Sequence, residues 1–156
     1  MRALRSLSLA ALLGMTACAT PIELPSSFVE LGDSGDGYRA MTSDDARIWV
    51  RTMYDATEGE VSFWAETLKR DLVEQRGYQF VREGEVENAA GEQGRWLEMT
   101  ANHRGERVDY LIAIWSRERS WPWSGVALRV VEFAAAHEAF ASRLAEVRTA
   151  LATVRW

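Results

Sequence analysis

The sequence predicts an α+β fold: an antiparallel β-sheet of about six strands with two amphipathic helices, one on each face. Three observations carry that reading. Short stretches alternate apolar and polar residues with period two and are joined by turn residues, so consecutive strands pair antiparallel. Two longer stretches carry apolar residues at steps of three and four, the period of a helix with one buried side. Each such helix needs a sheet face to cover, and two helices suit two faces.

In chain order, Val29 and Leu31 begin the domain as an edge segment, and 32–37, with three glycines, is a loop. That loop misses the spacing of a calcium site, because Gly35 stands at a ligand position and no glutamate closes it. Residues 38–42 and 46–54 form a hairpin around Ser43-Asp44-Asp45. In its second arm Ile48, Val50, Thr52 and Tyr54 share one side, and Arg47, Trp49, Arg51 and Met53 the other. Thr57 and Glu60 have capping-box spacing, so a helix starts there, runs to about Arg76 and stops at Gly77. Its stripe is Val61, Trp64, Leu68 and Leu72, with Ala65 and Val73 alongside.

A meander follows: a strand over 78–82, a turn at Glu83-Gly84, a short strand at Val86, then strands over 95–102 and 107–115 joined by a turn at 103–106. The stretch 107–115 is apolar on both sides, as expected of a central strand covered on both faces. A strand over 126–133 leads into a final helix over 134–154, striped by Phe140, Leu144, Val147 and Leu151.

The first eighteen residues are of another kind. Arg2 and Arg5 precede an apolar run over 7–14. At about 1.5 Å of rise per residue that run cannot cross a hydrocarbon layer roughly 30 Å thick, so it reads as an export signal. Met15-Thr16-Ala17-Cys18 resembles the lipobox of bacterial lipoproteins, with Met15 where leucine is usual. The resemblance implies cleavage before Cys18, which then carries lipid on its sulfur and its new amino group. The chain divides accordingly into a signal peptide over 1–17, a lipidated tether over 18–27 and one globular domain over 28–156. Ala17-Cys18-Ala19 also fits the cleavage pattern of ordinary secretion, and a cut after Ala19 would give a soluble periplasmic protein. By resemblance to enteric lipoproteins, Ala19 in the position after Cys18 favours the outer membrane over the inner.

The chain carries 18 basic and 23 acidic residues; without the leader the balance is 16 against 23, a net −7 on 139 residues. Such a charge disfavours nucleic acid and electrostatic attachment to anionic lipid alike. Membrane attachment is therefore assigned to the lipid on Cys18. With a single cysteine no internal disulfide can form, and seven tryptophans, five phenylalanines and four tyrosines supply the packing instead.

No catalytic set emerges, and no cofactor or metal is expected. His103, in a turn, and His137, near the last helix, read as exposed and without a partner at ligand spacing. Ser34 and Ser124 lie near glycines but outside a nucleophile elbow. Asp44-Asp45 and Glu83, Glu85 and Glu87 read as solvated surface, the last group suiting a sheet edge. Trp121-Pro122-Trp123 is the candidate partner-binding loop, since two aromatics flanking a stiff proline suit a protein partner or a membrane interface. The default for such large rings is burial, which would fold both back over the sheet edge as a lid.

The element order resembles the PsbP/Mog1/DcrB-type fold over roughly 28–154. It is carried by Arg47-Ile48-Trp49-Val50-Arg51, Phe63-Trp64, Arg76-Gly77-Tyr78 and Tyr110-Leu111-Ile112-Ala113. That group holds photosystem accessory proteins, a nuclear-transport factor and envelope lipoproteins, mostly binding or assembly factors without catalytic machinery. The resemblance implies a non-catalytic, lipid-anchored envelope protein that binds or helps assemble another envelope protein. One alternative is a carrier of small ligands or lipids, with an aromatic-lined pocket flanked by Trp64, Trp96 or Trp115. The other is a hydrolase working through a converging, buried carboxylate pair.

Overall fold

The computed structural model describes residues 20–33, 35, 37–120 and 122–156. Cys18 and the whole leader lie outside the described residues, and so does Trp121. The elements are β1 (Val29–Asp33), β2 (Tyr38–Met41), β3 (Arg47–Asp55), α1 (Val61–Arg70), β4 (Gln79–Glu87), β5 (Gln93–His103), β6 (Glu106–Glu118), β7 (Val126–Ala136) and α2 (His137–Leu151). The strands form one antiparallel sheet in the order β1-β2-β3-β7-β6-β5-β4. The α+β class holds, with seven strands in place of about six.

The two helices take opposite faces. Phe140, Val147 and Leu151 of α2 join Ile48, Val50, Leu111, Trp115, Val131 and Phe133 in one core, which Ile22 and Phe28 also enter. Ala65 and Leu72 pack with Leu97, Met99, Ile112, Ile114, Leu128 and Val130 in the other, with Trp64 and Leu68 beside them. Alternation along the central strands β6 and β7 feeds both cores at once. Removing these side chains from water drives the assembly, at about 25 cal/mol per Å2 of apolar surface.

Four details depart from the sequence reading. Glu83-Gly84 is not a turn: both lie inside β4, paired with Leu97 and Trp96. Gly84 is there because the Trp96 indole crosses the strand, and a Cβ would come closer than 3.0 Å to three of its atoms. The capping box does not form. The Thr57 N–H bonds Asp55 Oδ1 at 2.7 Å, and Glu60 begins the helix without a side-chain cap. Residues 134–136 are strand, held to Val108, Asp109 and Tyr110 of β6; three alanines there carry no period that could have shown it. Finally, α1 ends in a π-helical turn over Asp71–Gln75. Val73, about 100° around the axis from Leu72, is 39% exposed while Leu72 stays buried. Gly77 then turns the chain with φ 71°, as expected.

Candidate functional site

Between α1 and its sheet face lies a cleft of about 400 Å3. Ile112, Ile114, Leu128 and Val130 make its floor, and Trp64, Leu68 and Leu72 its wall. Its rim is polar: Arg51, Asp55, Thr67, Asp71, Arg76 and Glu132. The π-helical turn supplies Asp71 and Leu72, so the one irregular stretch of the helix borders the cleft. Such turns gather at functional sites. Two donors here are buried and unpaired, the Trp64 indole Nε1 and the Arg51 Nε. Buried donors nearly always find partners, so these mark a place where a ligand acceptor would be favourable. Arg51 is otherwise engaged, stacked 4.3 Å over the Trp49 ring and 3.7 Å from Glu132. Tyr78 also lines the cleft, and its ring packs on that of Tyr110, centroids 4.8 Å apart. Burial first, and then the Tyr78 hydrogen bond, push the Tyr110 hydroxyl far above the usual tyrosine range, so it stays protonated.

Of the three tryptophans expected to flank a pocket, only Trp64 does. Trp96 and Trp115 face α2, where the Arg148 guanidinium lies 4.3 Å over Trp96 and Trp115 is fully buried. The α2 side instead holds two buried carboxylates that sequence reasoning passed over. Glu98 takes Arg82 at 2.6 Å and Arg148. Asp109 takes Arg107 at 2.9 Å, and His137 Nδ1 lies 2.6 Å from its Oδ2. His137 is therefore paired, although 58% exposed; its partner, 28 residues away on β6, leaves no trace in spacing. Burial alone would raise the Asp109 pKa, but hydrogen bonds from His137, Arg107 and Thr100 outweigh it and hold the carboxyl below the usual range. This Asp–His pair has the form of a base with its orienting group. Among the described residues no hydroxyl or thiol hydrogen-bonds His137. Among the described residues no group of acidic, histidine or cysteine side chains is arranged to hold a metal.

The candidate partner-binding loop lies between β6 and β7. Pro122 is exposed and Trp123 is 64% exposed, so Trp123 is no lid over the core. Its ring meets the Arg119 guanidinium at 5.2 Å, and the same guanidinium lies 4.7 Å over Tyr54, itself 66% exposed. Neighbouring ends of β3, β6 and β7 thus present an aromatic, arginine-bridged surface. A positive φ at Gly125 lets the loop return to β7 against the Asp55 backbone, where no side chain fits.

No protein-family model matches the chain, and no curated protein does. Solved structures do. LpqN, described as involved in cell envelope biogenesis of Mycobacterium tuberculosis, superposes with a TM-score of 0.64 at 10% identity, over 84% of this chain and 78% of its own. The Saccharomyces cerevisiae Ran-binding protein Mog1p superposes with a TM-score of 0.51 at 12% identity, over 79% of this chain and 75% of its own. At such identities the likeness is one of fold, and the fold is of the Mog1/PsbP type.

Proposed function

We propose that the chain is a lipid-anchored, non-catalytic protein of the bacterial envelope that binds or helps assemble another envelope protein. The observation that carries this reading is the exposed Trp123, Arg119 and Tyr54 surface. Large aromatics and arginine are the side chains that anchor protein interfaces. The leader ending in Cys18 supports the anchored state, and the fold shared with LpqN, an envelope-biogenesis protein, supports the setting. Among the described residues no helix is long and apolar enough to cross a membrane. In this reading Cys18 attaches the lipid, facing the periplasm, with the outer membrane favoured over the inner. The test is photo-crosslinking from a probe at exposed Ser124, beside Trp123, in the full-length protein in its own cells. One reproducible protein adduct, lost in Trp121→Ala with Trp123→Ala at unchanged melting temperature, supports the proposal. No adduct above that of a probe at exposed Glu74 contradicts it.

The cleft supports a second reading, a carrier of a small apolar ligand with an acceptor group. The unpaired Trp64 Nε1 over an apolar floor is the observation behind it. Trp64→Phe keeps an aromatic ring but removes the indole N–H with part of the packed surface. It should cost about 1 kcal/mol of stability without unfolding the domain, while ligand co-purifying with the wild-type protein is lost. Identical extracts from both proteins would count against a carrier.

A further inference from the structure

A second groove, of about 690 Å3, runs along the edge of β3 and shares Arg51, Met53 and Tyr54 with the lining of the α1 cleft. Strand β2 pairs with β3 only as far as Val50, so from 51 to 55 one side of β3 has no strand neighbour among the described residues. Tyr38, Thr52, Tyr54, Arg129, Trp156 and Pro21 line the groove along that free edge. Arg129 is the group there that the fold leaves unbalanced. It stands opposite Thr52 in the sheet, 5.6 Å from the Trp156 ring, with its Nε buried and unpaired. Among the described residues no carboxylate comes within ion-pair distance of it. The neighbouring Arg117 is matched by Glu92 at 2.6 Å, and the Trp156 Nε1–H donates to the same carboxylate. Burial lowers the Arg129 pKa; Tyr54 opposes this and Arg117 adds to it, so the site is short of negative charge. A half-buried cation without a counter-ion is costly, and an incoming oxyanion with paired guanidinium hydrogen bonds offsets that cost.

The anchor lies close by. Pro21 O accepts the Arg155 N–H at 2.9 Å, Glu23 N–H donates to Thr153 Oγ1, Glu23 pairs with Arg155 at 2.6 Å, and Ile22 is fully buried. The chain is therefore fixed to the domain from Pro21 onward. Two residues, Ala19 and Thr20, separate Cys18 from Pro21, a reach of roughly 11 Å at most. If Cys18 is lipidated, as proposed above, the groove sits at the membrane surface, where phosphate esters are the abundant oxyanions.

We propose that this groove binds a phosphate ester, with Arg129 as its cation and the Tyr54 and Trp156 rings as its walls. The ester is either a phospholipid headgroup or a soluble phosphate monoester. The experiment follows the Arg129 Nε–Hε resonance of the full-length protein. Titration with glycerol 3-phosphate should shift it and glycerol should not; by titration calorimetry, Arg129→Gln should weaken glycerol 3-phosphate affinity at least tenfold, with Arg129→Lys restoring part. In reconstituted vesicles, a shift in phosphatidylglycerol but not in digalactosyldiacylglycerol identifies the headgroup. A shift with soluble ester alone identifies a free ligand. No shift with either, or equal affinity in the Gln variant, overturns the site. The soluble titration does not depend on the anchor, and the intact mass of the same sample reports lipidation separately.

Discussion

Asp109 is 5% exposed and carries more of the α2 interface than its size suggests, because it meets Arg107, Thr100 and His137 at once. Asp109→Asn leaves Arg107 and His137 without their charge partner, and urea unfolding at pH 7 should show a loss of about 3 kcal/mol. The sign with pH follows from the lowered folded-state pKa. The unfolded carboxyl titrates near about 3.9, so the stabilisation is complete above that pH and is lost as pH falls through the lower folded value. The wild-type melting temperature should thus fall more steeply than that of the Asn variant below about pH 4. A second residue test concerns Gly94, where a Cβ would come closer than 3.0 Å to three atoms of the buried Trp115 indole. Gly94→Ala should cost about 1 to 3 kcal/mol in the same assay. Neither site is legible in the sequence. Period-two alternation places Glu98 on a face but does not say that arginines from β4 and α2 will cover it, and His137 looks free because Asp109 is distant in the chain.

Helix α1 separates pattern from geometry at the level of elements. Its stripe of Val61, Trp64, Leu68 and Leu72 is legible and packs as expected, because helical periodicity survives any choice of partner. The π-helical turn is not legible, since nothing in Asp71–Gln75 marks an extra residue in the turn. Burial within it is measurable: Leu72→Ala should cost about 2 to 4 kcal/mol, whereas Val73→Ala, turned to solvent, should stay within about 0.5 kcal/mol. Strands β3, β5, β6 and β7 are legible from alternation, but their ends are not. Residues 134–136 are bound by β6 and not by their own sequence, and the glycine within β4 marks close packing on Trp96, not a turn.

For the whole molecule, charge and attachment set the argument. A domain of net −7 has no electrostatic attraction to anionic lipid, so in the proposed anchored state the lipid on Cys18 alone would carry the attachment. In that state the docked Pro21 would hold the end of the sheet bearing Tyr54 and Arg129 near the anchor, with both proposed surfaces close to the membrane. The sheet and its two helices were legible because two periodicities and short turns leave few ways to assemble them. The cleft, the free half of β3 and the Arg129 groove were not, since each arises where separate elements stop short of one another. The measurement that bears most directly on the anchored state is the intact mass of the exported protein. The account predicts a chain beginning at Cys18 and carrying acyl groups, with Cys18→Ser found in the soluble periplasmic fraction. A wild-type chain beginning at Thr20 without acyl groups would contradict it.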